Sequence, residues 1–509
     1  METIFQYIVC FVIALLAAVA GKRLFIHPLR AYPGPLLGRL TNGYAGWHAI
    51  KGDVHLMTYR DHLKYGKITA RSNNDVLYIP ERSHRKGPDL YLHPLPWRNA
   101  QRLHRTRQAR PPPPTPGRGP SHLRALDALV RAHNAIPDRR IPHAALALLP
   151  PYPKPAPKQP QAVDMTPRCK YLATDIIAHL AFGHALATQT DEPLRLIPHA
   201  FARLNPAVYL FMNWPKTHAL VDPAAQWLLR ARAGAFRRAL AGVVADRMAL
   251  PRDARHDLYS LVATEERASI FLNAGGTTTG TAICSVFFYF SRYSAVYAQL
   301  ANEIRTTFSS GSEIRQGPQL ASCKYLRAVI DETLRICPPT PGVMWREKDP
   351  LSPEPLVVDG HVIPPGTLVG VGTYSLMHNP EYFPEPFSFR PQRWLDGAVE
   401  EEDPKAKEAR AIMRRAFIPF SLGDRGCAGK AVAYSEMSLT VAKTLWYFDF
   451  EKAPGAAGDV GGGRKGAEKG RDRPDEYQLH DSFMADHNGP NLVFRARGDY
   501  WEDLAKTSE

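Results

Sequence analysis

The chain has 509 residues, of which 44% are hydrophobic, 22% charged and 10% aromatic. This length and composition supply a substantial core and exclude a wholly disordered, collagen-like or small disulfide-stapled protein. The formal net charge is +15, from 64 basic and 49 acidic residues. About +11 of it falls within residues 85–160, where about 14 Lys and Arg accompany about 3 acids. A basic segment without a binding motif is weak evidence for nucleic acid, and we expect no nucleic-acid partner.

The first predicted element is an apolar run over residues 4–20, followed at once by two basic residues. A run of this length is at the lower limit for spanning a hydrocarbon core of about 30 Å. The alternative is a cleaved signal peptide, because its last residues, Ala-Val-Ala, resemble a cleavage site. The positive charge on the C-terminal side instead favours an uncleaved anchor with the following chain in the cytoplasm. We predict a single-pass membrane anchor over residues 1–21 and a basic, proline-containing hinge over residues 22–35.

A large domain is predicted over residues 36–500, followed by a tail at 501–509. It begins with a helix that ends at Gly66 and a short strand near residue 76. Residues 85–160 interrupt this pattern, because about 14 of the 46 prolines fall between residues 111 and 160 and prolines at that density forbid a packed helix. One interpretation is a proline-rich ligand for a partner domain. The favoured one is a segment that does not pack, including a segment translated in an unintended frame.

From about residue 163 the composition is globular again. A strand-and-turn region is predicted around a hairpin turn at residues 364–366. A flexible surface insertion, rich in Gly, Lys, Arg and Asp, is predicted over residues 453–476. The predicted helices of this part span residues 173–183, 261–293, 295–308, 323–336 and 428–448.

Cys427 stands in the most unusual local setting of the chain. Residues 420–429 read Phe-Ser-Leu-Gly-Asp-Arg-Gly-Cys-Ala-Gly, directly before a predicted helix. The six cysteines form no CxxC pair, which argues against a disulfide framework or a zinc finger. A thiol at a helix N-terminus is favoured as the anion, and Arg425 offers a fork for a carboxylate. Such a thiolate suits haem iron as an axial ligand; the alternative is a buried cysteine at a helix start.

These ten residues resemble the haem-binding signature of the cytochrome P450 superfamily, F-x-x-G-x-R-x-C-x-G, at every fixed position. The resemblance implies a mainly α fold with small β-sheets, the cytochrome P450 fold, preceded here by an N-terminal transmembrane helix. It also implies a haem b cofactor with Cys427 as the axial ligand of the iron. Phe420, Gly423 and Arg425 are then expected to be cofactor-binding residues.

Two further motifs follow the order of the same family. Glu332 and Arg335 match its ExxR motif, and their i, i+3 spacing puts them on one helix face. The resemblance implies that Arg393 completes a Glu–Arg–Arg cluster that supports the haem pocket. It also implies that Arg346 meets a haem propionate. The alternative for ExxR taken alone is a solvated surface pair. The alternative for Arg346 is a surface residue of a strand.

Residues 274–279 read Ala-Gly-Gly-Thr-Thr-Thr and match the family pattern A-G-x-[D/E]-T-[T/S]. The resemblance places Ala274 and Gly275 against the cofactor, where small residues leave room for a diatomic ligand. Thr278 takes the place of the threonine that hydrogen-bonds dioxygen and relays protons. Thr277 occupies the acidic position, and a hydroxyl cannot hold and release a proton near neutral pH, so we expect slower or water-routed delivery. The alternative for such threonines is back-bonding to the preceding turn.

The resemblance therefore implies a haem-thiolate monooxygenase that inserts one oxygen atom from O2 into a hydrophobic small molecule. Electrons are expected from NADPH through a cytochrome P450 reductase docked on a basic face that includes Lys430. The likeness is greatest to fungal secondary-metabolite P450s similar to isotrichodermin C-15 hydroxylase, with the catalytic domain on the cytoplasmic side of the endoplasmic reticulum membrane. The alternatives are a P450-like isomerase or dehydratase without O2 activation, a P450 impaired by residues 85–160, and a basic scaffold or nucleic-acid-binding protein with a vestigial haem site.

Overall fold

A computed structural model describes most of the chain. The described residues are 2–70, 75–78, 93–94, 161–183, 186–217, 265–349, 353–395 and 404–500, with parts of 234–251. The segment predicted to interrupt the domain, residues 85–160, lies outside them apart from a two-residue strand, and so does the predicted tail at 501–509.

The described residues form a mainly α-helical protein with three small sheets. The helices are α1 (Glu2–Gly21), α2 (Leu36–Leu40), α3 (Gly43–Lys51), α4 (Val54–Tyr65), α5 (Met165–Phe182), α6 (Leu196–Asn213), α7 (Glu265–Phe290), α8 (Ser294–Thr307), α9 (Pro318–Ala321), α10 (Lys324–Ile336), α11 (Thr373–Met377), α12 (Pro404–Ala416), α13 (Lys430–Tyr447) and α14 (Ala456–Asp459). The strands are β1 (Ile68–Ala70), β2 (Asp75–Tyr78), β3 (His93–Pro94), β4 (Ala162–Asp164), β5 (Arg346–Glu347), β6 (Leu356–Val358), β7 (His361–Ile363), β8 (Leu368–Gly370), β9 (Phe448–Lys452) and β10 (Asn491–Ala496).

The N-terminal helix is the one described helix that is long and apolar enough to cross a membrane. It spans Thr3–Ile26 with a mean hydropathy of 2.4, and none of its most apolar window is buried. The helix continues beyond the predicted end at residue 21 through a π-helical turn, because three apolar residues follow the basic pair. Part of the predicted hinge is also docked on the domain, since the Pro33 carbonyl accepts the N–H of Ala70 at 2.7 Å.

Two helices end at the glycines that the sequence indicates. α4 stops before Gly66 (φ 95°) and α5 stops before Gly183 (φ 64°), both in the positive-φ region that favours glycine. At its other end, α5 begins where the Asp164 side chain accepts the N–H of Thr166 at 2.9 Å. These helix ends are set by local chemistry, which is why the sequence predicts them.

Helix α7 forms the centre of the hydrophobic core. Every residue from Ala282 to Phe290 is buried, so this half of the helix is surrounded by protein on all sides. Its most extensive contacts are with α5, and it also touches α6, α10 and α13. The helices predicted around residues 261–336 are present as α7, α8 and α10, with ends that differ by a few residues.

The prediction of a hairpin turn at residues 364–366 is wrong. A turn does form there, with the Thr367 N–H 3.3 Å from the Pro364 carbonyl, but the strands on its two sides belong to different sheets. β7 pairs with β6 across Asp359 and Gly360, whereas β8 lies between β2 and β5 in a sheet ordered β1-β2-β8-β5-β3. β8 runs parallel to β2, so its partner is distant in sequence.

Residues 453–476, predicted as a flexible insertion, have a definite fold in the structure. The segment contains α14 and a series of turns, in which the Gly463 N–H donates to the Arg473 carbonyl at 3.0 Å. Glu468 accepts from the Arg60 guanidinium of α4 at 2.7 Å. Because this ion pair joins residues some 400 positions apart, composition alone could not predict the packing.

Candidate active site

Cys427 lies in a tight loop between a single 3-10 turn, Gly423–Arg425, and the start of α13. The Cys427 N–H donates to the carbonyl of Phe420 at 2.8 Å, which closes the loop. The chain reverses with positive φ at Ser421 (58°) and at Gly423 (69°). Gly423 adopts this backbone without strain because it has no Cβ. The Cys427 thiol is free and exposed.

Opposing effects act on this thiol. The surrounding protein raises the pKa of Cys427 above its usual value, even though the side chain is open to solvent on one side. The backbone N–H of Gly429 and the charge of Lys430 lower the same pKa by less. The helix start therefore does not by itself produce the thiolate that the sequence predicts. A metal ion bound at the sulfur would deprotonate it outright.

Two arginines approach each other beside the cysteine loop. Arg346, on β5, is half-buried and donates to the carbonyl of Trp345 at 3.0 Å. Burial lowers the pKa of Arg346, and the positive charge of nearby Arg425 lowers it further. Within the described residues, neither guanidinium forms an ion pair with a carboxylate. Two adjacent cations without a counter-ion suit a ligand that carries carboxylates.

Glu332 is the centre of a buried cluster of hydrogen bonds. Its carboxylate accepts two hydrogen bonds from Arg335, at 2.8 and 2.9 Å, and one from Arg393 at 3.1 Å. The Trp394 indole and the Arg390 backbone N–H donate to it at 2.9 and 3.0 Å. The side chains of Glu332 and Arg335 are fully buried, so the pair is not a solvated surface pair. The structure thus brings together the three residues of the predicted Glu–Arg–Arg cluster.

The threonines of α7 are held by their own helix. The Thr278 hydroxyl donates to the Ala274 carbonyl at 2.5 Å, which is the back-bonding alternative of the sequence analysis. The Thr277 hydroxyl donates to the Asn273 side chain at 3.0 Å, and Asn273 in turn bonds Asn205 of α6. Thr278 retains oxygen lone pairs that accept further hydrogen bonds. Thr277 is bonded to Asn273, and Asn273 is the residue that ties α7 to α6.

Gly275 lies where α7 crosses α5. A Cβ on Gly275 would lie 2.5 Å from Cγ1 of Ile177, on α5. The predicted contact of this glycine with the cofactor stays a prediction. Its neighbour Gly276 would meet the Thr174 side chain at 2.8 Å in the same way. The glycines therefore allow α5 and α7 to pack closely, and the room that they leave on this side is filled by protein.

Alanine at Gly275 is expected to lower the free energy of unfolding by about 1–3 kcal/mol, because the added methyl overpacks the α5–α7 crossing. The measurement is chemical denaturation followed by far-UV circular dichroism. Gly242→Ala is the matched control, since nothing lies within 4 Å of a Cβ there. In an Ile177→Ala background, Gly275→Ala is expected to cost less than in the native chain. Equal costs in both backgrounds would contradict the assigned contact.

A small cleft of about 10 Å³ opens on the Thr277 side of α7, towards α5 and α6. The Lys170 ammonium lies 2.5 Å from the Asp486 carboxylate within it. A carboxylate thus lines the same cleft as Thr277, although the acidic position of the family pattern holds a hydroxyl. The residues that line the cleft include Lys170, Thr174, Asn205, Gly276, Thr277 and Asp486.

Comparison with known proteins identifies the family. The sequence model described as Cytochrome P450 matches residues 154–459. The cytochrome P450 monooxygenase poxM of Penicillium oxalicum is 31% identical over an alignment of 507 positions, which covers 93% of this chain and 91% of that protein. The cytochrome P450 monooxygenase atnE of Emericella nidulans is 30% identical, over 96% of this chain and 95% of its own length.

The helical fold with small sheets and these matches define a haem-dependent oxidative enzyme. The chain belongs to the cytochrome P450 family. It is a monooxygenase of the same class as these fungal relatives.

The structure adds residues that the sequence analysis did not assign. Trp394 directly follows the predicted cluster residue Arg393 and donates to Glu332 at 2.9 Å. Asp331 and Arg327 form an i, i+4 ion pair at 3.0 Å, a spacing that is visible in the sequence. Tyr434 bonds Asp331 from α13, and no sequence signal indicates this contact because the two residues lie on different helices.

Proposed function

We propose that this chain is a membrane-anchored haem-thiolate monooxygenase that carries haem b with Cys427 as the axial ligand of the iron. Its substrate is a hydrophobic small molecule of fungal secondary metabolism, and NADPH–cytochrome P450 reductase supplies the electrons. α1 holds the protein in the endoplasmic reticulum membrane with the catalytic domain in the cytoplasm. The basic residues that follow the apolar run support this orientation.

The observation that carries the proposal is the donor set around Cys427. A free, exposed thiol stands in a loop closed by backbone hydrogen bonds. Arg346 and Arg425 lie beside each other with no carboxylate partner among the residues that the structure describes. This set fits haem, because Cys427 would hold the iron and the two guanidiniums would neutralise the propionates. Glu332 and its partners would support the haem pocket, as the family resemblance implies.

When bound, haem supplies the activation of O2 and the transfer of one oxygen atom to a substrate C–H or C=C bond, the second atom leaving as water. The chain contributes proton control from α7. Thr278 would accept a hydrogen bond at its oxygen while its own proton points to the Ala274 carbonyl. With a hydroxyl at Thr277, protons would enter through water in the cleft that Asp486 lines.

A basic surface would serve the reductase. Helix α12 carries five basic residues and one acid, Glu408, and most of its charged side chains are exposed. Lys430, at the start of α13, adds a further cation next to the cysteine loop. Such a surface attracts an acidic partner and accelerates docking, with a rate that falls as salt rises.

The test is the absorbance spectrum of the purified full-length chain, reduced and exposed to carbon monoxide. Thiolate ligation gives the red-shifted Soret band for which the family is named, and we expect that band together with one extractable haem b per chain. A Soret band at the position of a histidine-ligated or thiol-ligated haem would contradict the assignment of the ligand. Absence of haem from the full chain would overturn the proposal.

Thr277 favours a second candidate, a P450-like isomerase or dehydratase that does not activate O2. This residue replaces the family acid, and its hydroxyl is committed to Asn273. Oxygen uptake separates the two functions. Uptake that requires both NADPH and reductase supports the monooxygenase, and turnover of a substrate without uptake supports the isomerase.

A further inference from the structure

Arg327, Asp331 and Tyr434 form a triad that joins α10 to α13, in which the Arg327 side chain is exposed. The Tyr434 hydroxyl donates to Oδ1 of Asp331 at 2.6 Å, and the Arg327 guanidinium donates to Oδ2 at 3.0 Å. The same guanidinium lies 3.8 Å from the centre of the Tyr434 ring. Asp331 and Tyr434 are both buried. Burial raises the pKa of Asp331, and the charge of Arg327 and the Tyr434 bond oppose that rise.

The triad reaches the cysteine loop through one aromatic contact. The Tyr434 ring packs on the ring of Phe420, with centroids 5.2 Å apart. Phe420 is the residue whose carbonyl accepts the Cys427 N–H. The Lys430 ammonium lies 5.9 Å from the centre of the Phe420 ring. The hydrogen bond to Asp331 of α10 therefore fixes the Tyr434 ring of α13. That ring packs on Phe420, whose carbonyl closes the loop.

We infer that Tyr434, anchored by Asp331, is a positioning residue for Cys427. This inference rests on the proposed function, because it takes Cys427 as the ligand of the iron. The Asp331 bond holds the Tyr434 ring against Phe420, and Phe420 in turn keeps the loop closed around the sulfur. The ligand is thereby tied to α10, the helix that also carries Glu332 and Arg335.

Loosening this contact has a defined electronic consequence. A less closed loop admits water to the sulfur, and each hydrogen bond to a thiolate withdraws electron density from the metal. The reduction potential then rises, and the thiolate is lost more readily. A triad that only stabilises the fold would change the unfolding transition without changing the potential.

The experiment compares Tyr434→Phe with Tyr297→Phe in the haem-loaded, full-length chain. Tyr297 is a matched control, because its hydroxyl donates to Asp449 at 2.9 Å and Arg305 donates to the same carboxylate at 2.6 Å. It therefore belongs to an equivalent Arg–Asp–Tyr triad, on α8 and β9. Phenylalanine at position 434 retains the ring contacts with Phe420 and Arg327 and removes only the hydroxyl. Tyr434→Leu extends the series by removing the ring from Phe420.

We expect Tyr434→Phe to shift the midpoint potential upward and to lose the red-shifted Soret band several-fold faster in urea. Tyr434→Leu should shift the potential further, and Tyr297→Phe should leave it unchanged while lowering the melting temperature. Equal potentials in the native chain and in both Tyr434 variants would overturn the inference. If the native chain itself lacks the red-shifted band, the proposed function fails instead, so the two failures are distinguishable.

Discussion

Replacement of Cys427 by alanine is expected to abolish the red-shifted Soret band of the reduced, carbon monoxide-bound chain completely. Alanine has no donor atom, and the loop offers no second sulfur. All six cysteines lie within the described residues, and only Cys10 and Cys427 are exposed. Cys10 is part of α1, so it cannot replace the ligand. The measurement is the difference spectrum of the purified variant, with the haem content determined in parallel.

Cys10→Ala is the control for this variant, because it removes the other exposed thiol and should leave the band intact. Cys427→Ser is expected to behave like Cys427→Ala, since a hydroxyl is far less acidic than a thiol and binds iron weakly at neutral pH. We expect part of the haem to stay bound to either variant through Arg346 and Arg425, which gives a spectrum without the thiolate band. A full-intensity band in Cys427→Ala would refute the assigned ligand.

Features that depend on neighbouring residues could be predicted from the sequence. The glycine-capped ends of α4 and α5 follow from glycine's access to positive φ, and the Glu332–Arg335 pair follows from the i, i+3 spacing. The burial of that pair does not follow from its spacing. It depends on Trp394 and Arg393, about 60 residues further along the chain. Only the family resemblance indicated that Arg393 would join the cluster.

The strand pairing shows why local turn signals have limited value. Residues 364–366 contain two prolines and a glycine, and they do form a turn. The hairpin itself forms at Asp359 and Gly360, which have φ values of 49° and 77°. An Asp-Gly pair between apolar residues is the stronger hairpin signal, and the sequence analysis overlooked it. β8 pairs with β2 and β5, and no local sequence pattern identifies these partners.

The orientation of α7 was harder to predict from the sequence than the other parts of the candidate site. A run of small residues in an apolar helix indicates that another group approaches the helix closely, but it does not indicate on which side. For Gly275 the approaching group is Ile177 of α5. The role of Tyr434 was also hidden, because an isolated tyrosine on an apolar helix is ordinarily part of the core. The packing of α10 against α13 gives it a hydrogen-bond partner, and the fold of the cysteine loop brings the Phe420 ring against it.

Replacement of Glu332 by glutamine is expected to lower the free energy of unfolding by about 3–5 kcal/mol. The carboxylate accepts five hydrogen bonds and is the only acid paired with Arg335 among the residues that the structure describes. Glutamine removes the charge and turns an amide N–H2 towards other donors, so the buried Arg335 guanidinium is left uncompensated. Chemical denaturation measures the change. We also expect loss of haem, because the proposed function gives Glu332 and its arginines the support of the haem pocket.

Glu385→Gln provides the comparison, because Glu385 pairs with Arg390 at an exposed position where ion pairs contribute roughly 0–1 kcal/mol. If both variants lose the same stability, the buried cluster is no stronger than a surface pair and its assigned role is wrong. Arg393→Met in the Glu332→Gln background should recover part of the loss, since it removes one cation that has lost its partner. The same substitution in the native chain should destabilise, because it removes a hydrogen bond to an intact carboxylate. This change of sign would show that charge compensation at Glu332 dominates the cluster.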